Sequence, residues 1–542
     1  MSTSPPDRPG DGPAVAAPSR RVHYRIPIAL ALLTVAGPLL PRLWHWSDLD
    51  PAPIFMLGFA GMWMLVLGTL GLLGWFFAFS GLSWRTRLLG LGGLALVGGG
   101  VVAAVDEFKL DGNMRPIPHF RWQPRAQERL AEYLDETSGD QLPPVEVAVD
   151  PVNDFPRYRG VRADGVINPS ELLNMRWDEA APRELWRHPC GGGFAGFAVA
   201  GNVAITVEQR GDDEAIVCYD RATGRQRWVH AYPASFRHPT GSGPRATPTL
   251  DQGDVFSLGA LGDLVCVDAA TGKRRWAVNI LTDNGAKNVT WGMTSSPLVA
   301  DDLVIVNAGI DPDKNVGQAV AAYHRRDGKR VWASGKYPAG YSSAQLATLA
   351  GRRQVLLFDG GGLAGFDPKT GAELWRYPWE TFSDMNIIQP LVIDGDRVLI
   401  SSETKNGCAL LRILRRGDEY SVEPVWENRM LCSKYANPVR LGGAIYGLSN
   451  STLVCLDVET GKRHWRGKSY GHGQVLGVSG AVVVLGEQGQ LAVVPADPRR
   501  FREAYRVDVF KDRTWNTPAV AGRQLFVRND VEMACFELPL KQ

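Results

Sequence analysis

The chain has 542 residues, and its 59 lysines and arginines nearly balance its 57 aspartates and glutamates, leaving a formal net charge of +2. This balance gives no electrostatic basis for nucleic-acid binding, and no basic patch stands out beyond ordinary surface runs. The seven cysteines are an odd number, and none lies in a CxxC or cysteine/histidine spacing that would indicate zinc. We therefore predict neither a nucleic-acid partner nor a metal site.

The first 105 residues predict a helical membrane anchor. Three apolar stretches occur there, Ile26–Leu40, Ile54–Phe79 and Leu88–Val105, and the second has 26 residues without a charge. The first stretch is short enough for a signal-peptide core, but no convincing cleavage site follows it, so we interpret it as a short span. The prediction is a disordered cytoplasmic tail over 1–22 and three transmembrane helices within 23–105.

Arginines on one side of these stretches predict their orientation. Arg20, Arg21 and Arg25 precede the first stretch, and Arg85 and Arg87 lie between the second and third. The positive-inside rule then places the N-terminus in the cytoplasm and everything after the third span outside the cytoplasmic (inner) membrane, in a periplasmic or extracellular location. Cleavage of the first stretch would leave the same final topology.

Residues 106–152 read as a linker with one short helix over Gln123–Glu136.

After residue 180 the apolar pattern has a period near two with dense turn signals, which disfavours a helical fold. Five segments there share the pattern Asp-x-x-Thr-Gly-x-x-x-Trp or a close variant. They are Asp220–Trp228, Asp268–Trp276, His324–Trp332, Asp367–Trp375 and Asp457–Trp465. Asp and Thr can hydrogen-bond backbone groups of a turn and Gly supplies a positive φ, so each segment reads as a hairpin.

A second signal precedes each hairpin: an apolar stretch, a turn and another apolar stretch. Eight such starts occur, the first a degenerate copy near Phe197. With the hairpin, each unit makes four antiparallel strands in roughly 46 residues, and repeats of this length stack side by side. We predict an all-β propeller of eight four-stranded antiparallel blades over residues 153–542, with seven blades as the alternative.

The ends of the repeat region predict how the ring closes. The last unit, Lys511–Leu540, has room for three strands and no closing tryptophan, whereas Arg183–His188 carries a lone Trp186. We expect this early strand to complete the last blade, because closure removes exposed sheet edges.

Four cysteines occupy equivalent positions before the turns and predict small buried residues. They are Cys218, Cys266, Cys455 and Cys535. Cys408 and Cys432 flank one blade boundary, where a disulfide is possible.

The C-x-D-x-x-T-G-x-x-x-W turn resembles that of pyrroloquinoline quinone (PQQ)-type propeller repeats. Such repeats occur in quinoprotein alcohol and glucose dehydrogenases and in non-catalytic relatives such as the BamB-type lipoprotein of outer-membrane barrel assembly. The resemblance covers about residues 150–540, and Asp154–Val166 (DFPRYRGVRADGV) is similar to the lead-in of many exported BamB-like proteins. A helical anchor before the propeller is also similar to membrane-bound glucose dehydrogenases, which have more spans.

Residues that start the inner strands should line the propeller axis. They form a polar ring without a carboxylate: Thr247, Ser296, Gln345, Gln389, Asn437, Gln474 and Thr517. A quinoprotein dehydrogenase needs calcium on oxygen ligands and a carboxylate base. Acids nearby in sequence form no Glu…Asn…Asp pattern, and the adjacent cysteine pair of many quinoprotein alcohol dehydrogenases is absent. We therefore predict no catalytic residue and no cofactor, and PQQ with calcium belongs to an alternative interpretation.

The mouth of the axis supplies the candidate binding residues. An aromatic, a histidine and an arginine converging there could hold a flat or anionic ligand, or they could simply satisfy inter-blade hydrogen bonds and bind water. The candidates are Arg245, Trp291, Tyr341, His472, Trp515 and Asn516.

Three functions compete at this point. The favoured one is a membrane-tethered binding or scaffold module that holds a protein or polymer partner at the cell envelope. The alternative is a PQQ-dependent dehydrogenase that oxidises an alcohol or sugar and reduces membrane quinone, so enzymatic activity stays open. A third is a ligand sensor that signals through the three spans.

Overall fold

The structure is a computed structural model that describes residues 25–45, 54–113, 116–123, 125–137, 142–403 and 406–541. The chain divides into two compact units, Met1–Val105 and Asp106–Gln542. The tail predicted over 1–22 lies outside the described residues, so its disorder stays a prediction.

The first unit consists of helices α1 (Arg25–His45), α2 (Ile54–Phe79) and α3 (Trp84–Ala104). Two segments of the described chain, Ala60–Phe79 and Trp84–Ala104, are long and apolar enough to cross a membrane, whereas Arg25–Gly37 is a shorter apolar helix. α3 begins four residues before the predicted span because Ser83 caps it, accepting the N–H of Thr86 at 3.3 Å.

Small residues bring α1 and α2 into close contact. A Cβ atom on Gly37 or on Gly61 would collide with the backbone carbonyl of the other, and one on Gly68 would collide with the Thr34 hydroxyl. Close backbone approach at small residues is typical of helices packed inside a membrane, where apolar burial between helices gives no driving force.

The second unit begins with a hairpin and a short helix. Val105–Leu110 pairs with Pro116–Phe120, and helix α4 spans Ala126–Glu136. α4 begins three residues after the predicted start, because Arg125 takes the N-cap position and its N–H is bonded to Glu128 Oε2 at 3.2 Å.

Eight four-stranded antiparallel blades follow within the described residues, as predicted. At most blade boundaries the first strands of the two blades contact one another, which places these strands around the axis. The strands of blades 1 to 4 are Ala198–Ala200, Val203–Arg210, Asp213–Asp220 and Gln226–Pro233; Thr249–Asp251, Asp254–Leu258, Asp263–Asp268 and Arg274–Asn279; Leu298–Ala300, Leu303–Asn307, Val320–His324 and Arg330–Ser334; and Gln345–Leu349, Arg352–Asp359, Gly362–Phe366 and Glu373–Pro378.

The remaining blades repeat this order, with one strand added to the inner edge of blade 7. Val166–Ile167 pairs there in parallel with Gln474–Val478. The strands of blades 5 to 8 are Leu391–Val392, Arg397–Ser402, Gly407–Arg416 and Glu419–Asn428; Val439–Leu441, Ala444–Ser449, Thr452–Asp457 and Arg463–Ser469; Gln474–Val478, Ala481–Leu485, Gln490–Pro495 and Tyr505–Asp508; and Ala519–Ala521, Gln524–Arg528, Glu532–Glu537 and Arg183–Pro189.

Shorter elements lie between the blade strands. Helix α5 spans Ile280–Asn284, a 3₁₀ turn spans Phe382–Asp384, and Ile310–Asp311 pairs with Val316–Gly317.

Arg183–Pro189 closes the ring, which confirms the expected completion of the last blade. It pairs antiparallel with Glu532–Glu537, with Trp186 opposite Cys535. Blade 8 therefore joins the start of the repeat region to its end.

Except for Trp375, whose indole N–H donates to Gln354 Oε1 of its own blade, the repeated tryptophan fastens one blade to the next. Its indole N–H donates to the carbonyl of the second residue of the neighbouring Asp-x-x-Thr-Gly turn, and its ring covers the turn glycine, where a Cβ would lie 2.7 Å or less from the ring. The donor–acceptor pairs are Trp186–Arg221 at 3.1 Å, Trp228–Ala269 at 3.0 Å, Trp276–Arg325 at 2.8 Å, Trp332–Pro368 at 3.2 Å and Trp426–Val458 at 3.0 Å. The motif is thus an inter-blade contact as well as a turn.

The cysteines before the turns complement these tryptophans. Cys218, Cys266, Cys455 and Cys535 each lie directly opposite a tryptophan on the adjacent strand and are fully buried, which confirms the prediction of small buried residues. A small side chain leaves room for the large indole. No disulfide joins Cys408 to Cys432, and Cys408 Sγ lies 3.3 Å from Asn428 Oδ1.

Candidate functional site

A ring of hydroxyl and amide side chains links neighbouring blades at the axis. Ser296 Oγ accepts the N–H of Thr247 at 3.0 Å, and Ser343 Oγ accepts the N–H of Ser296 at 2.9 Å. On the other side, Asn437 Oδ1 accepts the N–H of Gln389 at 2.7 Å. Part of the predicted polar ring therefore satisfies inter-blade backbone groups. In blade 4 the equivalent position is occupied by Ser343 rather than by the predicted Gln345. Ser343 lies two residues before the inner strand, as Thr247 and Ser296 do in their blades.

The lead-in segment closes one end of the axis. Arg159 is 2% exposed, and its guanidinium donates to Asn437 Oδ1 at 3.1 Å and to the carbonyls of Asp164 at 2.6 Å and Pro438 at 2.7 Å. Burial lowers the pKa of Arg159 to about 10. Tyr158, beside it, accepts the Asn437 amide N–H at 2.6 Å and faces the open part of the axis.

We call this lead-in segment, Asp154–Val166, the plug. Beyond it lies a cavity of about 170 Å³, which we call the axial cup. Its aromatic rings contact one another, with centroid distances of 5.5 Å for Trp291–Tyr341 and 5.1 Å for Tyr435–Trp515. Among these lining residues, all of which the structure describes, none is an Asp or Glu. The cup is lined by Tyr158, Phe194, Thr240, Arg245, Thr247, Trp291, Thr294, Ser296, Tyr341, Ser343, Met385, Ile387, Tyr435, Gln474, Trp515 and Thr517.

Two guanidinium groups lie against one aromatic ring at the cup. The Cζ atoms of Arg245 and Arg513 lie 5.4 and 5.2 Å from the centroid of Phe194, and Arg513 also stacks 4.2 Å from Trp515. Burial, followed by the charge of Arg513, lowers the pKa of Arg245 to about 10. Arg245 thus brings one guanidinium into the aromatic lining, and Arg513 packs behind it against Phe194 and Trp515.

A buried glutamate holds the rim of the cup. Glu487 accepts the indole N–H of Trp515 at 2.9 Å, the backbone N–H of His472 at 3.0 Å and that of Gly112 at 2.6 Å. The sequence-predicted His472 is buried beside the cup rather than lining it, with its Nε2 3.2 Å from Asn113 Oδ1.

The other candidates divide between the cup and the core. Arg245, Trp291, Tyr341 and Trp515 come together in the cup. Asn516 is fully buried and does not line it: its Nδ2 donates to backbone carbonyls of Gly193 at 3.2 Å and Ala195 at 2.9 Å, so its role is to hold the chain.

A second carboxyl group lies behind Arg245. Glu214 is fully buried, and it accepts the N–H of Ala260 and the hydroxyl of Tyr232, both at 3.0 Å. Burial raises its pKa to about 7, and the charge of Arg245 lowers it only in part. At neutral pH this group is therefore only partly ionised.

Comparison with known proteins shows which family the propeller resembles. Residues 212–467 match the family model described as outer membrane protein assembly factor BamB. The chain carries a BamB-like PQQ-repeat β-propeller. No curated protein matches it.

Two solved structures are similar to this BamB-like propeller. The quinohemoprotein alcohol dehydrogenase from Comamonas testosteroni is 12% identical, with a match covering 77% of this chain and 84% of that one at a TM-score of 0.53. BamB from Moraxella catarrhalis is 16% identical, with coverage of 67% and 99% at a TM-score of 0.49. At these identities the likeness concerns the fold alone.

The donor set of the cup does not fit PQQ with calcium. Calcium takes six to eight oxygen ligands, carboxylates prominent among them, and the dehydrogenase reaction needs a carboxylate base. The lining residues, all within the described ranges, supply hydroxyl, phenol and amide oxygens instead.

Sequence reasoning missed several residues of the site. Phe194, Tyr435 and Arg513 were not singled out, and Tyr158 was seen only as part of the lead-in motif. One signal was available: Tyr435 lies two residues before Asn437, the same offset that separates Arg245 from Thr247. For Phe194 and Arg513 no local pattern gives a comparable signal, since the contact between them joins loops more than 300 residues apart.

Proposed function

We propose that this protein is a membrane-anchored binding module whose propeller receives its ligand or partner at the axial cup and the surrounding rim. The observation that carries the proposal is the chemistry of the cup: aromatic rings and the Arg245 guanidinium, with no carboxyl group among the lining residues. Such a site can bind and orient a ligand, but it offers no side chain suited to act as a carboxylate base.

We further propose that the propeller lies outside the cytoplasmic membrane, with the N-terminus in the cytoplasm. Arg25, Arg85 and Arg87 support this orientation by the positive-inside rule, and the close approach of α1 and α2 at Gly37 and Gly61 supports α1 as a third span. If α1 did not cross, two spans would leave both ends of the anchor on the same side.

Cysteine labelling in intact cells tests this topology. A cysteine introduced at the exposed Arg353 should react with a membrane-impermeant maleimide, in a background where the natural cysteines stay buried. Labelling that requires lysis of the cytoplasmic membrane would contradict the proposed orientation.

Dye-linked oxidation tests the binding role against the dehydrogenase alternative. The full-length protein in detergent micelles would be loaded with PQQ and calcium and offered primary alcohols and aldose sugars. We expect no dye reduction above the rate of free PQQ. Saturable reduction that is lost on Trp515→Ala would refute the binding-module proposal.

A further inference from the structure

The last apolar helix of the anchor runs directly into a hairpin. Helix α3 (Trp84–Ala104) has 21 residues, which at about 1.5 Å per residue cover about 32 Å, close to the thickness of the hydrocarbon core. Val105, the next residue, already begins the hairpin that Val105–Leu110 forms with Pro116–Phe120. Phe108 follows α3 by four residues and is at most about 14 Å from its end, because an extended chain covers at most about 3.6 Å per residue. A spanning α3 therefore keeps the hairpin within reach of the lipid headgroups.

The second strand of the hairpin brings an aromatic pair back to the same level. Only residues 111–115 connect the two strands, too few for the crossover that parallel strands require, so the strands run antiparallel. The end of the second strand then lies beside the start of the first, at Val105. Phe120 and Trp122 stack at this end, with ring centroids 4.7 Å apart and an angle of 6° between the ring planes.

One face of the hairpin is bonded to the propeller. Lys109 Nζ donates to Asp530 Oδ2 at 3.0 Å, and the N–H of Gly112 donates to Glu487 Oε1 at 2.6 Å. Successive side chains of a strand point to opposite faces, so Phe108 lies on the face opposite Lys109. The hairpin thus has one face bonded to the propeller and another that carries an apolar side chain.

Large apolar side chains of this short segment are exposed. Phe108, Ile117 and Trp122 are 58%, 42% and 70% exposed. Ile117 lies between Pro116 and Pro118, which are exposed as well. Exposed apolar side chains gathered in one place indicate an interaction surface, and tryptophan is enriched where a protein meets the membrane–water interface.

We propose that the hairpin is an interfacial membrane-binding element, in which Phe108, Ile117 and Trp122 insert into the headgroup region of the leaflet at which α3 ends. The partner of this apolar surface is the phospholipid bilayer, because the chain joins the surface to a membrane span without a linker. The same hairpin is bonded to Glu487, which holds Trp515 of the axial cup, so it connects the bilayer surface to the rim of the cup. The inference goes beyond the proposed binding function. It requires α3 to cross the bilayer but no particular orientation of the anchor.

Quenching by brominated lipid tests this contact in the full-length protein. Phe108→Cys and Trp122→Cys each carry an environment-sensitive dye, which reacts selectively because the seven natural cysteines are buried. The fluorescence is measured in phosphatidylcholine nanodiscs whose lipids carry bromine either near the headgroup or deep in the acyl chains. We expect quenching at both positions, and more of it from the shallow bromines, since interfacial elements insert only about 5–10 Å.

Two positions of similar exposure are the controls. Leu94, in the middle of α3, is 57% exposed, and Val331, on the outer strand of blade 3, is 51% exposed. We expect Leu94→Cys to be quenched most by the deep bromines and Val331→Cys by neither lipid. Quenching at Leu94 without quenching at Phe108 or at Trp122 would overturn the proposal and leave the anchor intact. Quenching at Val331 equal to that at Phe108 would also overturn it, and an unquenched Leu94 would contradict α3 as a span and the proposal with it.

A double substitution separates insertion from tethering by the chain. With the dye on Ile117→Cys, the pair Phe108→Gln and Trp122→Gln should remove most of the shallow quenching, because the apolar side chains supply the driving force for insertion. Val331→Gln is the matched control and should leave the quenching unchanged. Undiminished quenching in the double variant would overturn the proposal, since the hairpin would then be held near lipid by the chain alone. No ligand of the cup takes part in these measurements, so their failure would leave the proposed binding function standing.

Discussion

Glu214 makes the stability of the propeller depend on pH near neutrality. The carboxyl is fully buried between Tyr232 and the N–H of Ala260, and burial raises its pKa to about 7 from an ordinary 4.5. The folded protein therefore retains a proton on this group that the unfolded chain releases. Stability contributed by that proton is present at low pH and is lost as the pH rises from about 4.5 to about 7.

The size of the effect follows from the two pKa values. Above pH 7 the buried, ionised Glu214 lowers the free energy of unfolding by about 3 kcal/mol. At pH 5 it lowers that free energy by less than about 1 kcal/mol. Glu214→Gln removes the charge and keeps both hydrogen bonds, because the amide oxygen can accept the Ala260 N–H and the amide nitrogen can donate to the Tyr232 oxygen. We expect the variant to raise the free energy of unfolding by about 2–3 kcal/mol at pH 8 and by little at pH 5.

Urea unfolding measures this change in the free energy of unfolding. The full-length protein in detergent micelles is unfolded at several pH values and followed by tryptophan fluorescence. Glu208→Gln is the control: this buried carboxylate is bonded to Arg210 and Tyr219, and its pKa is lowered chiefly by Arg210 against the opposing effect of burial. Its contribution to stability is present above pH 4.5 and lost below, so the control should be destabilised at pH 8. An unchanged pH profile in Glu214→Gln would refute the reasoning.

Two further predictions concern the contacts between elements. Gly272→Ala should destabilise the propeller by about 1–3 kcal/mol more than Gly253→Ala in the same urea assay, because a Cβ at Gly272 would lie 2.5 Å from the Trp228 ring whereas Gly253, with a similar positive φ, has open space. Equal losses would show that the tryptophan contact contributes nothing beyond the backbone conformation. Glu487→Gln should cost about 1–3 kcal/mol, since one amide N–H would face an N–H donor, and should red-shift the fluorescence of Trp515; an unshifted spectrum would contradict the anchoring role of this glutamate.

The repeat predicted the fold because its signals are local. Each Asp-x-x-Thr-Gly turn forms from a few adjacent residues, and Asp220 Oδ1 accepts the N–H of Thr223 at 3.0 Å and its hydroxyl at 2.9 Å. The number of blades and the closure by Trp186 then follow from counting units. What the motif did not reveal is that its tryptophan donates to the next turn, because spacing along one chain segment does not show which blade a ring faces.

The candidate site was less predictable, because spacing along one chain segment does not show which distant residues a side chain contacts. Arg245, Trp291, Tyr341 and Trp515 were predicted because they lie just before inner strands, whose positions the repeat fixes. His472 has the same position in its unit, yet Glu487 and the linker residue Asn113 hold it away from the cup. An orientation set by partners far apart in sequence has no local signature.

The lead-in motif has a specific physical explanation in the plug. Arg159 adopts a positive φ of 63°, an uncommon and costly backbone for a non-glycine residue, and its three hydrogen bonds to Asn437, Pro438 and Asp164 offset that cost. Gly165 permits the arrangement, because a Cβ there would lie 3.1 Å from Arg159 Nη2. Arg159 and Gly165 of the motif thus act together, since a side chain at Gly165 would press on the guanidinium that closes the axis and would also have to adopt a positive φ of 72°.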